Sequence, residues 1–414
     1  MTHKEMDAVV KNTATYIKNI VETTEFGIDN IVVEHRSNNP KRDYLFVNKK
    51  QCKHIPCSPT DMVNMCKLLA NEVNKKLGDK EVVVVGFAET ATAIGNCVAD
   101  YLNNCTHVLQ TTRETYLKSV GKEVITFEEE HSHATTQLLL TSKNLEAFDL
   151  QHYNGYILFV EDEISTGNTI LNFINAMNSV KSDLSYGVAS VCNWQSDENK
   201  KKFKDRNIDT FFLLAGELAD VNAKMLSEED KNWIKLERCH SLPIFDAKAT
   251  MVFDRDKKES GHSRLFESER LGHKPNRDFS KLFEEIDKVI EGYDVSKVRI
   301  VGTEEFMYIP IKVGEYLESK GIKVVCHATT RSCIDVLSSE NTLRSQGIME
   351  RYEIMSPYEA DRKTFVYNLV EHVDMTIVIT DKAIGNKIAQ CYYDVLHGDN
   401  ADKSKCNMVA FVRV

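Results

Sequence analysis

The residues best suited to chemistry lie together near the middle of the chain, in the stretch 157–169, which reads ILFVEDEISTGNT. Four apolar residues predict a buried strand, and the polar residues after it predict a tight loop that leads into a helix. Backbone amides in such a loop, with the helix N-terminus behind it, favour an anion such as phosphate. Glu161 and Asp162 are placed to accept hydrogen bonds from two vicinal sugar hydroxyls, or to orient water around Mg²⁺.

The loop itself is rich in groups that could hold a phosphate. Gly167 permits a positive φ angle or a close backbone approach, and the hydroxyl groups of Ser165, Thr166 and Thr169 add donors beside Asn168. The alternative is an ordinary strand followed by a helix that Ser or Thr caps at its N-terminus. The acid pair directly before the loop favours a phosphate and sugar site over that alternative.

Short β-branched runs alternate with helical patterns along the chain, which is typical of a mostly parallel sheet covered on both faces. These runs lie at 81–86, 107–110, 156–160, 187–192 and 210–214, and again at 298–302, 323–327, 375–380 and 408–414. The charged stretch 254–280 separates the two series. The sequence therefore predicts an α/β fold with two domains, 1–245 and 246–414.

The first 80 residues are less regular. A helix is predicted near Lys4–Glu22 and a second near Pro59–Leu77. Between them, Arg36, Lys41 and Arg42 form a locally basic segment in an acidic chain, which could contact a ligand or only solubilise a loop.

The second series of strands repeats patterns of the first. VVVGFAE at 83–89 resembles RIVGTEE at 299–305, QTTR at 110–113 resembles ATTR at 328–331, and the loop at Gly167 resembles the segment at Gly385. The offsets between the copies are 216, 218 and 218 residues. Three ordered matches predict an internal duplication. The alternative is two unrelated α/β domains that share general strand–turn–helix patterns.

Composition excludes several classes of function. A net charge of −10 is unsuited to broad, sequence-independent binding of nucleic acid, which needs a basic surface. The 11 cysteines include no CxxC pair, so free thiols are predicted rather than a structural zinc site. The apolar runs are too short to span a bilayer, and the N-terminal residues lack the order of a signal peptide. A cytoplasmic protein without a membrane partner is therefore expected.

The stretch 157–169 resembles the phosphoribosyl-pyrophosphate loop of type I phosphoribosyltransferases, which has four hydrophobic residues, two acids and a Thr-Gly-x-Thr turn. Residues 27–240 resemble an orotate-phosphoribosyltransferase-like family found with bacterial tellurite-resistance and stress-response gene clusters. The features that carry this resemblance are NPKR at 39–42, GFAETAT at 86–92, EEHSHA at 129–134 and EDEISTG at 161–167. Residues 280–400 resemble the TRSP domain that follows it, although Thr330-Arg331-Ser332 is followed by Cys333 where that family usually has Pro.

The resemblance implies a parallel-sheet type I phosphoribosyltransferase fold and a role for each candidate residue. Phosphoribosyl pyrophosphate (PRPP) is expected at Glu161, Asp162, Ser165, Thr166, Gly167, Asn168 and Thr169, and its pyrophosphate at Ala88, Glu89, Thr90, Ala91 and Arg113. Arg36, Lys41 and Arg42 are expected to contact the acceptor. Mg²⁺ is expected near Asp162, held by PRPP and water rather than directly by the protein.

The segment 126–135 coincides with the mobile loop that type I enzymes fold over their active site. Within it, Glu130, His131 and His133 are candidates for proton transfer during catalysis. An ordinary solvated charged loop and a metal site are the alternatives, and two histidines at i and i+2 suit a metal site poorly.

The second copy departs further from a working transferase. Ile379 and Thr380 stand where the first copy has Glu161 and Asp162, and Lys387 replaces Thr169. The C-terminal domain is therefore predicted to be a degenerate α/β copy of similar topology, which binds a nucleotide or phosphate, or supplies an interface, without catalysis.

The predicted function is transfer of a phosphoribosyl group from Mg-PRPP to a base-like acceptor, or the reverse phosphorolysis, in a stress-response or tellurite-resistance pathway. The alternatives are a non-enzymatic sensor that binds PRPP or a nucleotide, and a scaffold. The sequence leaves the identity of the acceptor and the oligomeric state open, with a homodimer among the options.

Overall fold

The computed structural model describes residues 6–10, 15–36, 42–128, 136–143, 148–220, 250–253, 268–336, 347–369, 371–397 and 408–414. Strands and helices alternate through both halves of this described part, and most strands of the large sheet are parallel. The predicted α/β class with a mainly parallel sheet is confirmed. None of the helices in these ranges is long and apolar enough to cross a membrane.

The first half builds a large twisted sheet. Its strands are β1 Met6–Val10, β2 Thr15–Glu22, β3 Ile31–His35, β4 Tyr44–Asn48, β5 Val82–Gly86, β6 Cys105–Thr112, β7 Lys122–Glu128, β8 Thr136–Thr141, β9 Tyr156–Ile164, β10 Ser185–Asn193 and β11 Asp209–Asp220. Nine of them pair in the order β1-β2-β11-β10-β9-β5-β6-β8-β7, and β3 and β4 form a separate hairpin. The central strands from β11 to β6 are parallel, while antiparallel strands extend both edges.

Four helices accompany this sheet: α1 Pro59–Leu77, α2 Thr92–Ala99, α3 Asn168–Val180 and α4 Asp197–Asp205. The prediction of α1 is confirmed with the same bounds. The Ser58 hydroxyl accepts a hydrogen bond from the backbone N–H of Asp61 at 3.4 Å, and proline occupies the first turn. The helix ends before Gly78, whose φ of 56° is a left-handed value that glycine adopts readily.

The second half builds a smaller parallel sheet. Its strands are β12 Thr250–Phe253, β13 Lys297–Gly302, β14 Lys323–Ala328, β15 Arg351–Met355, β16 Lys363–Tyr367, β17 Met375–Thr380 and β18 Met408–Arg413, and its helices are α5 Ser280–Ile290, α6 Tyr308–Ser319 and α7 Asn386–Leu396. Five strands pair in the order β12-β18-β17-β13-β14, and β15 and β16 form an antiparallel hairpin.

The central strands of the two sheets have the same order. In the first sheet the order is β6-β5-β9-β10, and in the second it is β14-β13-β17-β18. In both, α2 or α6 joins the first two strands in the chain, an antiparallel hairpin follows, and α3 or α7 joins the last two. Each domain therefore presents the carboxyl ends of its central strands, and the loops that follow them, along one edge.

The predicted helix near Lys4–Glu22 is wrong. Within the described residues the segment forms β1 and β2, which pair as an antiparallel hairpin, and β2 continues the sheet beside β11. Thr15, Tyr16, Ile17 and Ile20 are β-branched or aromatic, and both isoleucines are buried. Pairing with a strand some 190 residues away therefore decides the structure, because the local pattern of apolar residues was ambiguous.

One hydrophobic core runs through both halves of the chain. It includes Val84 and Ile94 from the first half and Ile300 and Ile311 from the second, all buried. Within it, α2 packs directly on α6. Because this core is continuous, we expect the two halves to unfold as one cooperative unit.

Replacing Ile311 by Ala should destabilise both halves at once, because it opens a cavity in the shared core. Loss of a buried isoleucine side chain costs about 2–5 kcal/mol. Trp194, in the first half, reports the effect once Trp233 is replaced by Phe, since the chain has only these two tryptophans. The urea midpoint of Trp194 fluorescence should fall in Ile311→Ala and stay unchanged in Val180→Ala, where the side chain is exposed. An unchanged Trp194 transition in Ile311→Ala would mean that the halves unfold independently.

Candidate functional site

The acid pair lies at the carboxyl edge of the first sheet, at the end of the central strand β9. Glu161 and Asp162 are half-buried, and they extend the strand beyond its fully buried residues 156–160. Ligands of parallel α/β sheets bind at this edge, where solvent reaches the ends of the strands. The observed position is the one that a ligand site in such a sheet requires.

The turn after the acid pair has an open geometry. Gly167 adopts a left-handed backbone with φ 74° and ψ 9°, and α3 begins at the next residue. Thr166 and Asn168 are exposed, whereas Ser165 and Thr169 are partly buried. Gly167 itself is the N-cap residue, so a Ser- or Thr-capped helix does not describe this turn.

A second loop, residues 87–91 between β5 and α2, lies beside the acid pair, and Gln51 joins the two. Its side-chain amide donates to the carbonyl oxygen of Thr90 at 2.7 Å and to Oδ2 of Asp162 at 3.4 Å. Burial raises the pKa of Asp162, and hydrogen bonds from Thr90 and Gln51 offset part of that rise. Gln51 was not among the predicted site residues, because it lies in an irregular segment with no pattern that marks it.

The strand and the helix on either side of loop 87–91 pack tightly, whereas part of the loop itself is exposed to solvent. A Cβ atom on Gly95 would lie 2.9 Å from Cα of Gly86, so β5 and α2 can approach this closely only with glycine at that contact. Ala88 and Thr90 are partly exposed, whereas Ala91 is buried under the start of α2. The exposed part of the loop therefore faces the same edge of the sheet as the acid pair.

Glu89, in the same loop, is bound by the second half of the chain. Its Oε1 accepts from the Thr330 hydroxyl at 2.8 Å and from the backbone N–H of Arg331 at 3.0 Å, and its Oε2 accepts from Nε of Arg331 at 3.1 Å. Lys53 lies 3.4 Å away on the other side. Burial alone would raise the pKa of Glu89, but Lys53 and Arg331 outweigh it and hold the pKa well below its usual range.

Arg113 lies on the other side of loop 87–91, directly after β6. Its backbone N–H donates to Oε1 of Glu305 at 3.1 Å, and the hydroxyl of Thr112 donates to Oε2 of the same carboxylate at 2.5 Å. The charge of Arg113 also helps to lower the pKa of Glu89. The charge of Arg113 therefore acts on loop 87–91, and its role in binding pyrophosphate stays a prediction.

The basic segment near the N-terminus reaches the acid pair through Arg42. Arg42 forms a salt bridge with Glu163, next to Asp162, and its guanidinium group lies 4.7 Å from the ring centroid of Tyr44. The guanidinium group of Arg36 donates to the carbonyl oxygen of Arg42 at 3.2 Å. Burial raises the pKa of Glu163, and Arg42 opposes that rise. The β3–β4 hairpin therefore stands over the carboxyl edge, which places Arg36 and Arg42 beside the candidate site.

Four predicted residues lie outside the described part of the chain, namely Lys41, Glu130, His131 and His133. The last three belong to the segment between β7 and β8. Those two strands pair with each other, Glu128 opposite Thr136, and β8 pairs with the end of β6.

The donors at this edge suit a Mg²⁺ ion that a phosphorylated ligand carries. Glu161 and Asp162 offer carboxylate oxygens beside an open loop, and Mg²⁺ in proteins binds one or two carboxylates together with phosphate oxygens and water. Among the described residues, no three His, Cys, Asp or Glu side chains form a group that could hold a metal alone. The residues present therefore fit Mg²⁺ as a companion of the ligand.

Two family models match the chain. Residues 33–213 match the model described as phosphoribosyl transferase, and residues 267–396 match the model described as the TRSP domain C-terminal to it. Comparison with curated proteins gives no match.

Several solved structures are similar to the chain. Adenine phosphoribosyltransferase from Trypanosoma brucei, in complex with AMP, pyrophosphate and ribose-5-phosphate, has 13% identity and a TM-score of 0.34, over 55% of this chain and 98% of that one. The adenine enzyme from Rhodothermus marinus has 12% identity and a TM-score of 0.31, over 45% and 94%. A hypoxanthine-guanine phosphoribosyltransferase from Bacillus anthracis has 14% identity and a TM-score of 0.22, over 34% and 71%. These scores are low, so the assignment rests on the family models and the site.

Replacing Gly167 by Ala should destabilise the loop that follows the acid pair. A Cβ atom there would lie 2.5 Å from the ring of Phe203, and a left-handed backbone costs an L-residue about 1–2 kcal/mol. We expect the free energy of unfolding in urea to fall by about 2–3 kcal/mol, the clash included. Gly385→Ala is the matched control, because Gly385 is the counterpart in the second half, has φ −74° and has open space around it. Equal losses in the two variants would contradict the strained geometry at Gly167.

Replacing Glu89 by Gln should cost about 3–5 kcal/mol of unfolding free energy at neutral pH, because it leaves the buried Lys53 without its carboxylate partner and takes from Arg331 one of its carboxylate partners. The folded-state pKa of Glu89 lies below its ordinary value of 4.5, so the stability that it contributes is present above that pH. Urea unfolding should show the difference between wild type and variant shrinking as the pH falls below 4.5, because the unfolded state then takes up a proton at Glu89 while the folded state keeps the carboxylate ionised. Glu198→Gln, on the exposed face of α4, should differ little from wild type at any pH. A difference for Glu89→Gln that does not change with pH would rule out this charge effect.

Proposed function

Because residues 33–213 belong to the phosphoribosyl transferase family, and residues 267–396 to the TRSP domain that follows it, we propose that this chain transfers a 5-phosphoribosyl group from PRPP to a base-like acceptor, or catalyses the reverse phosphorolysis. The observation that carries the proposal is the link between loop 87–91 and Asp162 through Gln51, on the carboxyl edge of one parallel sheet and directly before loop 165–169 in the chain. One loop suits the pyrophosphate and the other the 5-phosphate.

Each part of PRPP has a matching group at this edge. Glu161 and Asp162 accept hydrogen bonds from the two ribose hydroxyls. The backbone and hydroxyl groups of 165–169, with the N-terminus of α3, bind the 5-phosphate. The backbone amides of Glu89 and Thr90 and the guanidinium group of Arg113 bind the pyrophosphate. The other two amides of the loop, at residues 88 and 91, already donate to oxygen atoms of the protein.

The transfer displaces pyrophosphate from the anomeric carbon while a nitrogen of the acceptor forms the new bond, and the transition state has oxocarbenium character. Such a reaction is accelerated by positioning both partners, by donating hydrogen bonds to the departing group and by excluding water. The amides of Glu89 and Thr90 and the side chain of Arg113 donate to the leaving oxygens as negative charge grows on them, while Asp162 holds the ribose. Mg²⁺ near Asp162 supplies further neutralisation of that charge.

The acceptor and the closing segment are assigned by position. We assign Arg36, Lys41 and Arg42 to the acceptor, and Glu130, His131 and His133 to proton transfer in a segment that closes over the site. The salt bridge between Arg42 and Glu163 supports the first assignment, because it holds the β3–β4 hairpin beside the acid pair.

The proposal also covers the domain organisation of the chain. We place the domain boundary at 245/246 and take the second domain as a degenerate copy of the first, which the shared strand order supports. The position of β12 in the second sheet supports the boundary. Cytoplasmic location stays a prediction from the short apolar runs and the N-terminal residues, and a role in tellurite resistance or stress response stays a prediction from the resemblance.

Calorimetry with PRPP and Mg²⁺ tests the proposal. Wild type should bind, and Asp162→Asn should bind at least about tenfold more weakly, since the amide lacks the charge that holds ribose hydroxyls and attracts the cation. Asp149→Asn, the same substitution at an exposed position, is the matched control and should bind as wild type does.

Turnover is then measured as pyrophosphate release with a panel of nucleobases. Release that depends on one acceptor identifies the substrate, whereas binding without turnover of any acceptor would favour the sensor. A folded wild type that does not bind PRPP would exclude both.

A further inference from the structure

The two halves correspond element by element in the described residues. α2 begins at Thr92 and α6 at Tyr308, an offset of 216 residues, and α3 begins at Asn168 and α7 at Asn386, an offset of 218. The order strand, helix, strand, hairpin, strand, helix, strand is the same in both. Each residue near these elements can therefore be matched with a counterpart in the other half.

The polar contacts between the halves follow this correspondence. The carboxylate of Glu89 accepts from the threonine hydroxyl and the arginine backbone N–H of Thr330–Arg331, at 2.8 and 3.0 Å. Glu305, its counterpart, accepts from the same two groups of Thr112–Arg113, at 2.5 and 3.1 Å. Thr112–Arg113 is in turn the counterpart of Thr330–Arg331, so each half gives and receives the same contact.

Two reciprocal pairs of backbone hydrogen bonds between the domains show the same correspondence. Cys57 and Cys326 exchange backbone hydrogen bonds at 3.1 and 2.8 Å, and His273 and Val108, their counterparts, do so at 2.9 and 2.7 Å. α2 also packs on α6, its own counterpart. Exchanged contacts of this kind define a twofold-symmetric interface, in which residue i meets j and j meets i. Two unrelated α/β domains could share a strand order, but they would not share this set of contacts.

In the second half, side chains of the protein occupy the position that corresponds to the candidate ligand site. The guanidinium group of Arg270 is fully buried, binds Oδ1 of Asp381 at 2.6 Å and lies 4.4 Å from the ring centroid of Tyr358. The carboxylate of Glu269 accepts from the N–H groups of residues 307–309 at 2.7 to 2.9 Å, which caps the N-terminus of α6. This copy has therefore kept the interface while its own side chains take the places of a ligand.

We propose that the C-terminal domain is a fused second subunit, and that its Arg331 is a positioning residue for the pyrophosphate loop 87–91. The proposal rests on the proposed function, which assigns that loop to pyrophosphate. The guanidinium group of Arg331 joins Glu89 of the loop, at 3.1 Å, to Glu305 of its own domain, at 2.7 Å. Glu305 directly precedes Phe306, which belongs to the shared core. The hydrogen bonds of Arg331 therefore connect loop 87–91 to a well-packed part of the second domain.

The bridge also removes an electrostatic obstacle. Glu89 places a negative charge in the loop that would bind a pyrophosphate, and like charges repel. Arg331 and Lys53 neutralise that charge and turn the carboxylate toward the second domain. The negative charge of Glu89 then opposes an anion at the exposed part of the loop less strongly. Arginine suits this role because its fork can bind two carboxylates in fixed directions, which a lysine ammonium does less well.

Hydrogen exchange on the full chain tests the positioning role without a ligand. In Arg331→Gln, the amides of 87–93 should exchange at least about tenfold faster than in wild type, because the loop loses its support. Arg351→Gln is the matched control, since Arg351 is half-buried in the same domain and lies near a different carboxylate, Asp335, at 3.8 Å. Equal loss of protection in the two variants, or unchanged protection in Arg331→Gln, would overturn the proposal.

Calorimetry with inorganic pyrophosphate and with ribose 5-phosphate, both with Mg²⁺, tests whether Arg331 selectively supports binding of pyrophosphate. Arg331→Gln should weaken pyrophosphate binding at least about tenfold and ribose 5-phosphate binding less than about twofold, because loop 165–169 holds the latter. Arg331→Lys should recover part of both the pyrophosphate affinity and the exchange protection. Equal weakening of both ligands would mean a general loss of structure and would overturn the proposal. If wild type binds neither ligand while exchange still responds to Arg331→Gln, the proposed function fails and the positioning role stands.

Discussion

The contact between the two halves of the chain depends on two buried carboxylates, each of which needs hydrogen-bond donors or a cation beside it. Glu89 and Glu305 both lie buried just after a central strand, where an unpaired charge would be very costly. Each takes a hydroxyl group and a backbone N–H from the opposite half of the chain, and Arg331 bridges the two acids. Separation of the halves would leave both carboxylates without these donors and would expose the shared core. The position of loop 87–91, and with it half of the candidate site, therefore depends on both domains.

The acids at the carboxyl edges of the two sheets differ in their hydrogen-bond partners, and this difference supports the proposal that the ligand binds at the first sheet. Asp381, at the end of β17, already has a full guanidinium partner in Arg270, which together with hydrogen bonds lowers its pKa despite burial. Asp162, at the end of β9, has the neutral partners Gln51 and Thr90, and burial raises its pKa. Both oxygens of Asp381 are occupied, since Oδ1 also accepts from the Tyr358 hydroxyl at 2.8 Å and Oδ2 accepts from the Ser268 hydroxyl at 2.5 Å. Asp162 is half-buried at an open edge, so we expect it to accept from a sugar hydroxyl or to lie near a metal ion.

Sequence reasoning succeeded where the determining contacts are local. The acid pair and the turn at Gly167 follow directly from a strand pattern and a short motif, and α1 from its capping residues. It failed for Lys4–Glu22, because pairing with β11 decides that structure. Gln51 and the partners of Glu89 come from irregular or distant segments, so no local pattern indicates them. The repeat of QTTR at 110–113 as ATTR at 328–331 was the available signal for those partners, since it marks the contact that the two halves exchange.

In the proposed fusion of two copies, the two halves can differ in a way that the subunits of a homodimer cannot. In a homodimer the same side chain stands at both equivalent positions, so a change that improves one site alters the other. Here Lys53 neutralises Glu89 in one half, while its counterpart Glu269 caps α6 in the other, with the opposite charge. Linkage in one chain also replaces a bimolecular association with an intramolecular one, so the interface does not depend on protein concentration. In this proposal the second copy has Thr380 at the strand position of Glu161 and keeps Asp381, at that of Asp162, as the partner of Arg270. It also keeps Thr330 and Arg331 for the loop of the first copy.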